Sequence, residues 1–400
     1  MNQTVFWQKT RFFVLLILVL LITLSSHPTI VDISRAAGIE SGTILSRYII
    51  LVFVLLFLMC LDIQSMLKPR LVRVCWFIFI FIVLFYMITF AVYGKRTMMA
   101  DIRSIGICLV ALMIGWQLDL DERRFRLLLL AFSVFTLFIG LMQVIINVGG
   151  FQIHNLYYVD NKNSLGVMLV TSSIVFLLLG LNHEGKKKTK IIWLILSVFT
   201  VVVLLTIRAR AASLTFGLMA LYIFYERFKG KNFFFYLLFG LFMSMIVFLV
   251  LPSTVKDFVY NSFFQNYEGE DITGGRVGRN AAALHVLASH IWTGNLEANT
   301  DIGWVHNYPL NRTFEFGIVY VLPIMLIYIY LLFYSVIKTI KSNNRDNHNI
   351  GYYVMIIPYI ISMAEPTLPF GPGTATVFNF IVFGLALRYS FNAQYGLGGE

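Results

Sequence analysis

An all-α bundle of about twelve membrane spans is the fold class this sequence predicts, on three observations. The 400 residues are 58% hydrophobic and 13% charged, with a mean hydropathy of +0.79, far less charge than a soluble chain carries. Apolar runs recur at lengths suited to a ~30 Å hydrocarbon layer. The basic residues fall between those runs in a pattern that sorts them to one side.

The runs fall at about 12–26, 44–61, 72–93, 103–118, 125–147 and 165–181, then at about 190–207, 211–225, 233–251, 316–337, 350–363 and 376–390. The first is read as a retained span, because no A-x-A-like cleavage site follows it and eleven further runs do. Placing Lys9 and Arg11 in the cytoplasm puts five basic groups on the same side. They are Lys68, Arg70 and Arg73; Arg123, Arg124 and Arg126; Lys186, Lys187, Lys188 and Lys190; Arg227, Lys229 and Lys231; and Lys338, Lys341 and Arg345. With Arg388, that is 19 of the 31 basic residues inside and 12 outside. Both termini are then cytoplasmic. The net charge of +11 reads as topology rather than nucleic-acid binding.

The whole chain, residues 1–400, is expected to be one membrane domain. Its one long polar interruption runs from about Pro252 to Asn311 and reaches the next span by Glu315, so residues 252–315 form an extracytoplasmic loop. Asp257, Glu268, Glu270 and Asp271 give that loop acidic character. Within it, Val277, Ala281, Leu284, Ala288 and Ile291 follow helical spacing, which predicts an amphipathic helix from Arg276 to about Ile291. That helix lies on the membrane surface or packs over the bundle. Gly294 is placed to cap its end.

Cys60, Cys75 and Cys108 all lie in apolar runs, which points to packing rather than disulfides or metal. No nucleotide or metal motif is present, so no cofactor is expected.

Ionisable residues avoid the centres of the spans, where ion-coupled transporters keep theirs. They gather at outer span ends: Asp160 and Lys162, interleaved with the amides Asn161 and Asn163; Arg208 and Arg210; Glu315; and Glu365. Arg208 and Arg210 make up most of a short outer turn. There they either snorkel to the headgroups or present a planar fork to phosphate oxygens. His306 is either one member of an interfacial belt with Trp304 and Tyr308 or a proton acceptor near neutral pH. His285 and His290 read as surface histidines.

Four segments resemble the O-antigen ligase and O-antigen polymerase superfamily of bacterial membrane glycosyltransferases. Asp160-Asn-Lys-Asn-Ser-Leu-Gly166 is similar to its N-x-N-x-hydrophobic-G/A span start. Arg208-Ala-Arg-Ala-Ala-Ser213 is similar to its S-R-x-x-x turn, with Arg210 in the arginine position. Gly275-Arg276 and Gly294 are similar to its loop helix, G-R…P-L-x-G. His306-Asn-x-x-Leu…Glu315-x-Gly317 is similar to its H-N-x-x-L…E-x-G signature. Ala209, Asn280 and Ile291 depart from the pattern, which has serine, an aromatic and proline at those places.

The resemblance implies a metal-independent, inverting glycosyl transfer at the outer face of the cytoplasmic membrane, with an undecaprenyl-diphosphate-linked oligosaccharide as donor. Catalytic roles then fall to His306 as base and to Arg210 and Arg276 as diphosphate clamps. Arg208, Arg279, Asn161, Asn163, Asn307, Glu315 and Glu365 become substrate-binding or orienting candidates, with Glu365 an alternative base. Implied partners are membrane lipid, an acceptor glycan or lipid A-core, and a chain-length regulator protein. Two acceptors remain open: another lipid-linked repeat for a polymerase, or lipid A-core or protein for a ligase. The leaning is to polymerase, because no added acceptor-binding domain is visible. A lipid-linked sugar transporter is the non-enzyme alternative; it calls for repeated halves and polar midplane residues, and neither is seen.

Overall fold

The computed structural model describes residues 3–38, 44–94, 98–146, 162–182, 185–227, 253, 256–257, 260, 275–303, 305–341, 346–371 and 375–394. Among them the regular structure is helical, with no strand. Helices suit a chain in lipid because they satisfy their own backbone hydrogen bonds.

The helices in chain order are α1 (Gln3–Leu24), α2 (Pro28–Ala36), α3 (Ser46–Met59), α4 (Ile63–Met66), α5 (Arg70–Tyr93), α6 (Met98–Gln117), α7 (Glu122–Ile146) and α8 (Lys162–Asn182). They continue with α9 (Lys187–Thr206), α10 (Arg210–Arg227), α11 (Arg276–Ser289), α12 (Asn295–Ala298), α13 (Tyr308–Lys341), α14 (Ile350–Ser362) and α15 (Val377–Gln394). Seven of the described helices are long and apolar enough to cross a membrane: α1, α5, α6, α7, α8, α9 and α13. The expected spans at 44–61, 211–225, 350–363 and 376–390 correspond to α3, α10, α14 and α15, which do not meet that length and apolarity. The expected span at 233–251 lies outside the described residues, as does most of the long loop before Gly275.

This is a membrane-embedded helical bundle whose burial pattern follows the lipid. Residues 165–180 of α8 are buried throughout, enclosed by α7, α9, α10 and α14. A helix that is apolar all round belongs at such a centre. The peripheral α5 instead exposes Phe77, Ile80, Phe81, Leu84 and Ile88, the surface that acyl chains cover. The three cysteines are free and buried.

Polar networks mark the two ends of the bundle. At one end Arg227 donates to Asn182, Asn182 donates to Asn347 (3.3 Å), and Asn347 donates to Glu122 (2.8 Å). These contacts draw together the ends of α7, α8 and α10, beside the basic clusters at 123–126 and 186–190. Asn163 sits at the opposite end of α8, about 29 Å away at 1.5 Å per residue. The candidate site is built there.

Candidate functional site

The site rests on a small core beneath α11. Ala283 and Leu287 pack against Val305 and Phe314, with Val286, Ile302 and Leu310 around them. The face that α11 buries is therefore not the one its apolar spacing suggested: Val277, Ala281, Leu284 and Ala288 are exposed. Helical periodicity shows that a stripe exists but not which neighbour it meets. The small Ala283 side chain lets the helix approach the 305–314 segment closely.

Two glycines lock the far end of this unit. Gly317 has φ +80° inside α13, and a Cβ there would come 2.0 Å from the Trp292 carbonyl oxygen. A Cβ on Gly294 would meet the Phe314 carbonyl oxygen at 2.4 Å. Ile318 N–H then donates to the Ile291 carbonyl at 2.9 Å. Gly294 is not the cap of the loop helix, which already ends at Ser289 with His290 as its C-cap. Its role is this close backbone approach, which only a residue without Cβ permits.

The first turn of α11 aims two guanidinium groups along one edge. Arg276 donates to the Ala364 carbonyl (2.9 Å) and meets Glu365 Oε1 at 3.4 Å. Glu365 Oε2 accepts from Asn163 Nδ2 at 2.8 Å. One buried carboxylate thus ties the start of α8 to the start of α11. Burial raises the pKa of Glu365, and Arg276, Lys162 and Asn163 oppose that rise. The Arg276 side chain keeps 34% of its surface exposed, enough for its fork to meet a ligand.

One helical turn later, an Arg279 guanidinium nitrogen lies 3.4 Å from Nε2 of His306. Burial, then Arg276 and then Arg279, lower the imidazole pKa to about 4. The ring is therefore neutral at physiological pH, as a general base requires.

The arginine turn adjoins this edge through α8. A Cβ on Gly166 would come within 3.0 Å of Ala209 Cβ and 3.1 Å of Ala212 Cβ, so the turn packs one helical turn beyond Asn163. Arg208 adopts φ +57°, a left-handed conformation that costs an L-residue ~1–2 kcal/mol. Arg210 begins α10 and is half-buried.

Two expected site residues are occupied elsewhere. Asn307 Oδ1 accepts from Leu310 N–H (3.0 Å), and its amide donates to the Met363 carbonyl (3.2 Å). It caps α13 and staples the loop after α14, since an Asx residue ahead of a helix satisfies an orphan N–H. Glu315 does not touch His306. It accepts from Arg312 (2.6 Å) and from Asn311 (3.1 Å), because those residues lie three and four positions before it on one face. Its link to the histidine is indirect: Asn311 Oδ1 accepts from Val305 N–H at 3.2 Å, holding the strand of chain that carries His306. Asn161 lies outside the described residues, as does Trp304.

Sequence reasoning missed the buried ion pair below this layer. Arg312 meets Asp101 of α6 at 2.8 Å, with side chains 11% and 7% exposed. A charge a few residues ahead of each of two apolar runs was the available signal. Among the described residues no three His, Cys, Asp or Glu side chains converge as a metal site would need. His290 pairs at 3.7 Å with Glu297, which also accepts from Thr293, and His285 is exposed.

Set beside known proteins, the chain matches no family model and no curated sequence.

Proposed function

We propose that the chain is a membrane glycosyltransferase that moves a glycan from an undecaprenyl-diphosphate donor to a sugar hydroxyl, and that it is a repeat-unit polymerase. The observation that carries this reading is one edge bearing two arginine forks beside a neutral histidine. Departure of a diphosphate develops negative charge, which fixed guanidinium groups stabilise. Attack by a hydroxyl releases a proton, which a neutral imidazole takes.

Arg276 and Arg210 hold the diphosphate in this mechanism, with Arg208 and Arg279 beside them. The acceptor oxygen forms its bond to the anomeric carbon as the bond from that carbon to the phosphate oxygen breaks. The electron pair of the broken bond leaves with the diphosphate, and the hydroxyl proton passes to His306. A single displacement inverts the anomeric centre. Glu365 and Asn163 position Arg276. Twelve spans with the 252–315 loop outside the cytoplasm would place the edge at the outer leaflet, where the polyprenyl chain lies among the helices.

Purified protein in lipid nanodiscs, given only undecaprenyl-diphosphate oligosaccharide, is expected to extend it. Inertness until lipid A-core is added would replace polymerase by ligase. No transfer to either acceptor, with the donor moved across sealed vesicles, would replace both by a transporter. Arg210→Lys keeps the charge and loses the planar fork, so it is expected to impair transfer. Wild-type rates in Arg210→Lys and Arg210→Ala would remove the clamp. Normal turnover by His306→Ala from pH 6 to 8 would remove the base.

A further inference from the structure

We propose that an anionic phospholipid binds at the start of α7, with its phosphate on Arg123 and Arg126 and an acyl chain along the exposed stripe of that helix. The site lies at the end of the bundle opposite Asn163. It is independent of the transferase reading, and either stands without the other.

The headgroup end is built by two arginines three residues apart, which are neighbours on the surface of α7. With Asp121, Glu122, Leu127 and Leu130 they border a cavity of about 670 Å³. Both carboxylates there are engaged by the bundle. Asp121 Oδ1 accepts from the Arg124 N–H at 2.7 Å, and its Oδ2 meets Arg124 Nε at 3.6 Å. Glu122 accepts from Asn347 at 2.8 Å. Among the described residues neither Arg123 nor Arg126 forms an ion pair with a carboxylate. Arg123 is exposed. The Arg126 guanidinium lies 6.0 Å over the Trp193 ring of α9, a cation–π contact that orients the side chain. Lys187 and Lys190, in the first turn of α9, add positive charge at the same end.

Beyond the arginines the same face of α7 turns apolar. Leu127, Val134, Phe138 and Ile145 recur at helical spacing and form one stripe, with exposures of 49%, 49%, 55% and 62%. The stripe runs about 27 Å at 1.5 Å per residue, nearly the depth of a ~30 Å hydrocarbon layer. A cationic fork at the head of an apolar track is complementary to an amphiphile with an anionic head. Each planar guanidinium meets two phosphate oxygens at once, and basic pockets at helix ends suit anionic headgroups. A zwitterionic lipid brings its own cation to the same fork and loses the net attraction. A free phosphate leaves the apolar track unused.

The test titrates the full-length chain, purified in a neutral detergent, with dioctanoyl phosphatidylglycerol and reads bound lipid by native mass spectrometry. Dioctanoyl phosphatidylcholine and glycerol 3-phosphate are titrated in parallel. Saturable binding of the phosphatidylglycerol alone is expected. Arg123→Gln with Arg126→Gln is expected to weaken it about thirtyfold. Lys186→Gln with Lys187→Gln removes the same charge away from the cavity and is expected to weaken it no more than about threefold. Leu127→Gln with Val134→Gln keeps both arginines and is expected to weaken it roughly tenfold. Thermal melting checks the folding of each variant. Equal binding of phosphatidylcholine would overturn the proposal in favour of unselected boundary lipid, and equal binding of glycerol 3-phosphate in favour of a free-anion site. An equal loss in the arginine and lysine variants would overturn it by showing a diffuse surface field. Unchanged affinity in the Leu127→Gln, Val134→Gln variant would overturn it as well, because the acyl chain would then lie elsewhere.

Discussion

Arg276 and Glu365 face each other at 3.4 Å across the start of the loop helix, and the second oxygen of the same carboxylate takes the amide of Asn163. Glu365 is buried and Arg276 is partly exposed, so the pair is anchored from below and open from above. Glu365→Gln keeps the shape and weakens the grip on Arg276. Transfer is expected to fall about tenfold, the loss of one charge-assisted hydrogen bond, and further in Glu365→Ala. Unchanged kcat/KM in both variants would remove the anchor from the mechanism.

The depressed pKa of His306 has a visible consequence for rate. The acid limb of kcat/KM is expected near pH 4, below the ~6.5 of an ordinary imidazole. Arg279→Gln removes one of the charges that lower it, so its acid limb moves up. A wild-type limb at 6.5 would contradict the local field described for this ring.

The same shift bears on stability. An unfolded imidazole titrates near ~6.5, and the folded one near 4. Folding therefore favours the neutral ring. The contribution is fully present above pH ~6.5 and is lost as pH falls through about 4. Thermal melting of His306→Gln is expected to fall less steeply over that window than the wild type does.

Arg208 occupies a left-handed conformation at φ +57°. Arg208→Gly relieves that strain, and after allowing for the looser unfolded chain it is expected to stabilise by about 0.5 kcal/mol while lowering transfer. A lower Tm together with unimpaired transfer would show that the arginine is kept for structure rather than for substrate.

Asp101 and Arg312 form a buried pair at 2.8 Å. Removing Arg312 strands the Asp101 carboxylate, so Arg312→Met alone is expected to destabilise by about 3–5 kcal/mol, whereas Asp101→Leu leaves Arg312 its contact with Glu315 (2.6 Å) and costs less. The double variant is expected to recover most of that loss, because an apolar pair of similar volume often replaces a buried ion pair without penalty. Additive single losses in the double variant would show that the two side chains are not coupled.

Much of the local layout was legible because it depends on near neighbours in sequence. The start of α11 at Arg276 follows from a glycine-rich break followed by helical spacing, and the apolar runs of α5 to α9 follow from length alone. The packed face of α11 was not legible: Val277 and Leu284 are exposed while Ala283 and Leu287 are buried, and an alanine carries no strong hydropathy signal. Glu315 suggested a partner for His306, but its own helix supplied nearer ones in Asn311 and Arg312.

By itself the sequence determined the chemical class of the surfaces. Helical runs too apolar for water must lie in lipid, and their few ionisable residues gather near helix ends. Only the tertiary structure decided which of those residues meet. Asn163 and Glu365 are 202 positions apart, and Arg276 and Glu365 are 89 apart, so no local pattern could pair them. The α8–α14 packing and the two-glycine approach of Gly294 to Gly317 bring them to one edge. They also set Arg279 against His306, 27 positions apart.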